Sequence, residues 1–208
     1  CSRKNMKNYF HNALVESNTI VVNKIYRLMR ENMHSVREIL SNPNIVPTDP
    51  VLYRWWVPWD GCVINSLLQK SKTYSCLRPI LENMEMSLLD NKPYCAIYFG
   101  KSENGKTRIV AQHIKGNVGN STIRHTLYGI LINDKYNPNN EDRISKIMEN
   151  TYFEWQSFNQ IEKELIVPLE AICIALGNYP LNIDGNCAVT KDWLEHLKTL
   201  RKTSKKPK

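Results

Sequence analysis

Residues 93–133 gather the side chains with the most chemical reach. The run Cys95-Ala96-Ile97-Tyr98-Phe99 is short, apolar and aromatic and stops at Gly100, the pattern of a buried strand breaking into a turn. A polar turn, Glu103-Asn104-Gly105-Lys106, leads into a helical stretch. Ile109, Val110 and Ile114 form its apolar side, and Arg108, Gln112 and Lys115 lie on another. A second turn, Gly116 to Asn120, precedes Ser121-Thr122-Ile123-Arg124-His125. Between residues 101 and 125 the cations Lys101, Lys106, Arg108, Lys115 and Arg124 oppose only Glu103. Ser121-Thr122 could also start a helix whose exposed N–H groups accept a phosphate. Strand, glycine and two basic helix starts make a site for an anion, with Lys101, Lys106, Lys115 and Arg124 as candidate contacts to a nucleic-acid backbone.

Tyr98-Phe99-Gly100, with Arg108 eight residues past the glycine and His113 shortly after, resembles the second half of the GIY-YIG nuclease motif. Val51-Leu52-Tyr53, followed by Arg54-Trp55-Trp56, stands where the first half belongs. Glu170, in Pro168-Leu169-Glu170-Ala171-Ile172-Cys173-Ile174, and Asn182, in Pro180-Leu181-Asn182-Ile183, resemble the glutamate and asparagine that close the pattern; they are twelve residues apart. The resemblance spans residues 51–185. Three departures stand out. The Gly-Ile of the first half is Val51-Leu52, and Tyr53 and Tyr98 are forty-five residues apart, which requires a helical excursion between strands that still pair. His113 comes five residues after Arg108 where the family has four. On an ideal helix that turns it about 140° away and leaves Gln112 in the expected place.

The resemblance implies a division of labour around a phosphodiester. Glu170 would bind Mg²⁺ or Mn²⁺, hard cations that favour carboxylate oxygen and keep several waters. Arg108 would clamp a non-bridging oxygen in the two-pronged way of a guanidinium. Tyr53 would orient or deprotonate the attacking water, which requires positive charge from Arg108 or Lys101 to lower a phenol pKa of about 10. Tyr98 would support the same phosphate, His113 is a candidate proton carrier, and Asn182 braces the turn or the hydrogen bonds of the site. Glu162 and Glu164 rival Glu170 as metal ligand, since Glu162-Lys163-Glu164-Leu165-Ile166 also resembles a glutamate before Leu-Ile.

The elements that must position these groups are read from periodicity. Residues 4–41 read as helix, with Ser17-Asn18-Thr19 separating two segments. Asn42 to Pro50 holds three prolines and reads as a linker. Val51 to Val57 has strand composition, and Pro58 and Gly61 end it. Residues 62–90 read as mostly helical, Thr126 to Ile132 as an apolar helix, and Asn133 to Asp142 as a loop. Residues 143–150 and 152–166 also read as helical, and Pro168 marks a fresh helix start that runs to Gly177. The domains expected are a helical extension over 1–45, a nuclease-like domain over 46–190 with a helical insertion at 62–90, and a basic helix and tail over 191–208. In that last segment seven Lys/Arg oppose Asp192 and Glu195. The fold class is α+β: a small central antiparallel sheet flanked by helices, behind an N-terminal helical extension.

The 208 residues, 42% hydrophobic and 23% charged, describe ordinary globular material. A net charge of +8 favours a polyanionic partner, nucleic acid before membrane surface. Six cysteines without a Cys-x-x-Cys pair argue against a zinc finger and for a reduced, cytoplasmic setting. The chain begins at Cys1, which fits a trimmed or processed protein. No segment is long and apolar enough to span a bilayer. The reading is a metal-dependent endonuclease of the restriction type acting on double-stranded DNA as a homodimer or larger assembly. The alternatives are a decayed scaffold that binds nucleic acid without cutting it, and an interaction protein that is basic for solubility alone.

Overall fold

The structure, a computed structural model, describes residues 3–132, 137–159 and 163–203, with side chains described from residue 16 onward and not at 163. Five strands, β1 (Met33–Ser35), β2 (Val51–Pro58), β3 (Met86–Leu89), β4 (Lys92–Ser102) and β5 (Tyr152–Ser157), make one antiparallel sheet in the order β1-β5-β2-β4-β3. The helices are α1 (Arg3–Arg30), α2 (Val36–Ser41), α3 (Cys62–Lys70), α4 (Leu77–Glu82), α5 (Thr122–Leu131), α6 (Glu141–Met148), α7 (Ile166–Leu176) and α8 (Lys191–Thr203). A π-helix, Lys106–Ile114, lies between β4 and α5. This is the α+β arrangement that the sequence predicts.

The central strand β2 is buried on both faces, which explains its uninterrupted apolar and aromatic composition. Val51, Tyr53, Trp55 and Val57 face one core, built with α2 to α6, the π-helix and α8. Leu52 and Trp56 face the other, under α1 and α7. Trp55 and Trp56 are fully buried, each contributing on the order of 3 kcal/mol by removing apolar surface from water. Trp59 packs at the margin of the first core. Despite the forty-five residues between their tyrosines, β2 and β4 pair from Val51↔Ser102 to Pro58↔Tyr94.

Four expected elements are different. Residues 152–157 form β5, not helix. All of Tyr152, Phe153, Glu154 and Trp155 are buried, and a strand covered on both faces lacks the alternation that would distinguish it from a helix. Residues 86–89, expected in the helical insertion, form β3. It turns into β4 through Asp90 and Asn91, both with positive φ (48° and 60°), the requirement of a tight hairpin. Residues 33–35, expected in the N-terminal helices, pair with β5, and Ser35 then starts α2 through a reciprocal cap with Glu38. Finally, α1 runs through Ser17-Asn18-Thr19 without a break, because weak helix formers cost only tenths of a kcal/mol each, roughly, and Val22, Ile25 and Met29 beyond them are packed. The basic tail beyond 203 and the loop at 133–136 lie outside the described residues, as does the helical reading of 160–162.

Candidate active site

Tyr53 is placed by β2 opposite Gly100 of β4, and that glycine is a geometric necessity. A Cβ at position 100 would lie 2.7 Å from both Cζ and the hydroxyl oxygen of Tyr53 and 2.9 Å from Cε1 of Tyr98. The regular part of the same ladder brings Tyr98 alongside, because Trp55 pairs with Tyr98; only beyond it does the register shift, with Trp56 paired to Ala96. Ile97 is therefore an extra residue, a bulge that re-aims the adjoining side chains of β4. Two residues from Gly100 in regular register, Tyr98 packs on the same side as Tyr53, with ring centroids 6.3 Å apart.

The five-residue spacing between Arg108 and His113 is resolved by the helix type. On a 3.6-residue helix the two would diverge, but Lys106–Ile114 is a π-helix, in which hydrogen bonds link residues five apart. Its last such bond runs from Lys115 N–H to the Val110 carbonyl at 2.9 Å. Arg108 and His113 consequently both reach the Tyr53 hydroxyl. Arg108 Nε donates to it at 3.4 Å, and His113 Nε2 lies 2.9 Å away. The other imidazole nitrogen, Nδ1, is 2.7 Å from Ser121 Oγ. Ser121 Oγ also accepts from Arg124 N–H and so caps α5. If the phenol oxygen accepts from Arg108 and donates to Nε2, then Nδ1 carries the imidazole proton towards Ser121. The His113 ring stacks on Phe153 of β5 at a 4° interplanar angle.

Electrostatics keep this row neutral. Burial holds the Tyr53 phenol well above its usual pKa, Tyr98 reinforces the shift and Arg108 opposes it. The expected lowering by Arg108 is present in direction but is outweighed by desolvation. Burial also raises Tyr98, against the pull of Arg108 and Arg201. His113 is pushed well below the ordinary imidazole value by burial, with Arg108 and Arg124 adding to it.

Beside the row opens a cleft of about 400 Å³ whose lining includes Tyr98, Lys101, Thr122, Glu170, Asn182 and Arg201. Glu170, near the start of α7, pairs with Lys101 Nζ at 2.9 Å. Asn182 is buried and grips β4 in both directions: its Oδ1 accepts from Phe99 N–H at 2.9 Å, and its Nδ2 donates to the Phe99 carbonyl at 2.8 Å. It thereby holds the segment between Tyr98 and Gly100. Glu164 is exposed and lines a separate groove beyond Lys101, while Glu162 lies outside the described residues.

The basic patch read from the sequence is not one surface. Lys101 stands in the cleft. Lys115 is exposed at the end of the π-helix, and Lys106, at its start, donates to Asn44 at 2.7 Å. Arg124 is not available to a phosphate. It is 1% exposed and donates to the carbonyl of Ile114 at 3.1 Å, to Ser145 Oγ at 2.7 Å and to the carboxylate of Glu141 at 3.4 Å. It is a bolt between the π-helix, α5 and α6, and its position between Ile123 and Leu127 on an apolar helix was the available sign. Sequence reasoning also missed Arg201, whose place four residues after Leu197 puts it near the packed side of α8.

Residues 51–203 match a family model described as the GIY-YIG catalytic domain. The chain belongs to the GIY-YIG nuclease superfamily. No curated protein and no solved structure matches it. No described helix is long and apolar enough to cross a membrane.

Proposed function

We propose that the chain is a metal-dependent endonuclease that hydrolyses phosphodiesters of double-stranded DNA, with Tyr53, Tyr98, Arg108, His113, Glu170 and Asn182 as its working residues. The observation that carries this reading is the meeting of Arg108 and His113 on the Tyr53 hydroxyl at the border of the Glu170 cleft.

The donor set suits a hard divalent ion. Glu170 is a partly exposed carboxylate already holding a cation, the Lys101 ammonium, and among the described residues no group of three or more His, Cys, Asp and Glu is gathered. One carboxylate is what Mg²⁺ or Mn²⁺ needs when most of its shell remains water. Bound there, such an ion supplies charge neutralisation at the scissile phosphate and leaving oxygen. The chain's own residues do the rest. Arg108 is held by Gln112, to whose Oε1 its Nη1 donates at 2.7 Å, while its contacts to Tyr53 and Thr122 are 3.4 Å, long bonds of the kind that exchange for a phosphate oxygen when substrate arrives. Its departure bares the Tyr53 hydroxyl. A water attacking phosphorus passes its proton to the Tyr53 oxygen as the phenol proton moves to His113 Nε2; the P–O bond to the leaving oxygen breaks, and that oxygen takes a proton from solvent water. Neutral His113 is the form able to accept. Lys101, released from Glu170, adds a cation beside the same phosphate.

One such centre cuts one strand, so restriction-type cleavage of both strands calls for a homodimer or larger assembly, which sedimentation of the full chain tests. The activity test is incubation of plasmid DNA with the wild-type chain and Mg²⁺ beside Glu170→Ala and Arg108→Ala. Wild-type cleavage lost by at least about a hundredfold in both variants is expected. Salt-sensitive DNA binding without any cleavage would instead identify a binding protein on a nuclease scaffold.

A further inference from the structure

α8 does more than close the fold. Trp193 Nε1 donates to the Pro180 carbonyl at 2.8 Å, at the turn that carries Asn182. On its other side, α8 lies close to α5 because residue 129 is glycine: a Cβ there would sit 2.8 Å from Leu200 Cβ. These contacts fix Arg201. Its Nε donates to Thr126 Oγ1 at 2.8 Å, and Nη2 reaches the Leu181 carbonyl at 3.4 Å. The guanidinium so held stands between two concavities that share Thr122. One is the Glu170 cleft; the other is an open hollow of about 530 Å³ along Gly119 to Thr122, with His125 and Lys202 on its wall. Burial lowers the Arg201 pKa more than Tyr98 and Asp184 raise it, so the charge is desolvated without full compensation, and an incoming anion would supply what is missing.

We propose that Arg201 is a substrate-binding residue, holding the phosphate next to the scissile one on a strand that leaves the Glu170 cleft across Thr122 and enters the Lys202 hollow. This rests on the nuclease reading and adds to it a path for the cut strand and a residue outside the family's motif. A guanidinium suits the role because its planar fork can keep Thr126 with one nitrogen while offering others to phosphate oxygens.

The experiment uses the full chain carrying Glu170→Gln, which should bind without cutting, and a short double-stranded DNA titrated across a range of salt. Adding Arg201→Gln is expected to weaken binding on the order of tenfold and to lower the slope of log affinity against log salt by about one. Thr126→Val removes the hydroxyl that braces Arg201 but leaves its charge, and should leave the slope unchanged. A structural role would make the two variants alike. An unchanged slope and affinity in a folded Arg201→Gln protein overturns the proposal while leaving the nuclease reading intact. Failure of the parent Glu170→Gln chain to bind DNA overturns both. Should Arg201→Gln not fold, Arg201→Lys decides: a several-fold weaker affinity at an unchanged slope supports the contact, and wild-type affinity sinks it.

Discussion

Tyr53 and Arg54 are adjacent in β2, equally buried, and point to opposite faces of the sheet. Each is the centre of a polar group, and the two groups behave as opposites. Arg54 is enclosed by ion pairs with Glu154 and Glu85. Arg30 of α1 bonds Glu85 and approaches Glu154 at 3.4 Å, and the Tyr26 and Trp56 rings stack on the Arg54 guanidinium. That network ties α1 to β2, β5 and the turn before β3. Tyr53 sits in a row of neutral groups, and its contact to Arg108 is long. One network pairs its charges with one another, leaving Arg54 Nη2 without a hydrogen bond, and the other borders a cleft. A buried polar group is no sign of function by itself; what distinguishes the Tyr53 side is a long 3.4 Å bond from Arg108, the contact that the proposed mechanism exchanges for a phosphate oxygen.

The comparison can be broken by experiment. Tyr53→Phe should lower kcat by about 10² to 10⁴ while changing unfolding free energy by no more than about 2 kcal/mol. A variant that cuts DNA normally would leave Tyr53 as a packing residue. Glu154→Ala on the other face should do the reverse. It strips the buried Arg54 of a partner, at a cost of about 3–5 kcal/mol in urea unfolding, with cleavage persisting wherever the protein is folded. Loss of activity at full stability would mean that the two faces are functionally one.

A third measurement separates the faces by pH. His113 has a folded pKa below the ordinary value of about 6.5, so the unfolded chain takes its proton first as the solution is acidified. The stability it contributes is complete above about 6.5 and declines as pH falls through the window below it. Replacing it by His113→Gln should flatten unfolding free energy against pH in that window, and equal slopes for the two proteins would rule the assignment out. Smallest is Ser121→Ala. It removes an α5 cap and the partner of His113 Nδ1, and should cost about 1 kcal/mol of stability together with a shift in the acid limb of the pH–rate profile. A stability loss with an unmoved profile would confine Ser121 to capping.

Much of this was legible in the chain itself. The apolar run to Gly100, the strand at 51–57, the helix around Glu170 and the turn at Asn182 all declare themselves through local composition and order, and with them come the α+β class and the family. β5 escaped because burial on both faces erases alternation, and the hairpin at Asp90-Asn91 escaped because its β3 strand is only four residues long.

Sequence by itself determined which side chains are available and in what order. Local propensity and motif spacing are properties of neighbours along the chain, so Tyr98, Gly100, Arg108 and Glu170 could be named from them. Tertiary structure alone decided which of those groups touch. It set the β2–β4 register that lays Tyr98 beside Tyr53, the π-helical winding that returns His113 to Arg108, the burial of Arg124 and the arrival of Arg201. Each depends on packing between segments tens of residues apart, where a shift of one residue in register or in helical hydrogen bonding redirects a side chain without altering the hydrophobic pattern that a sequence displays.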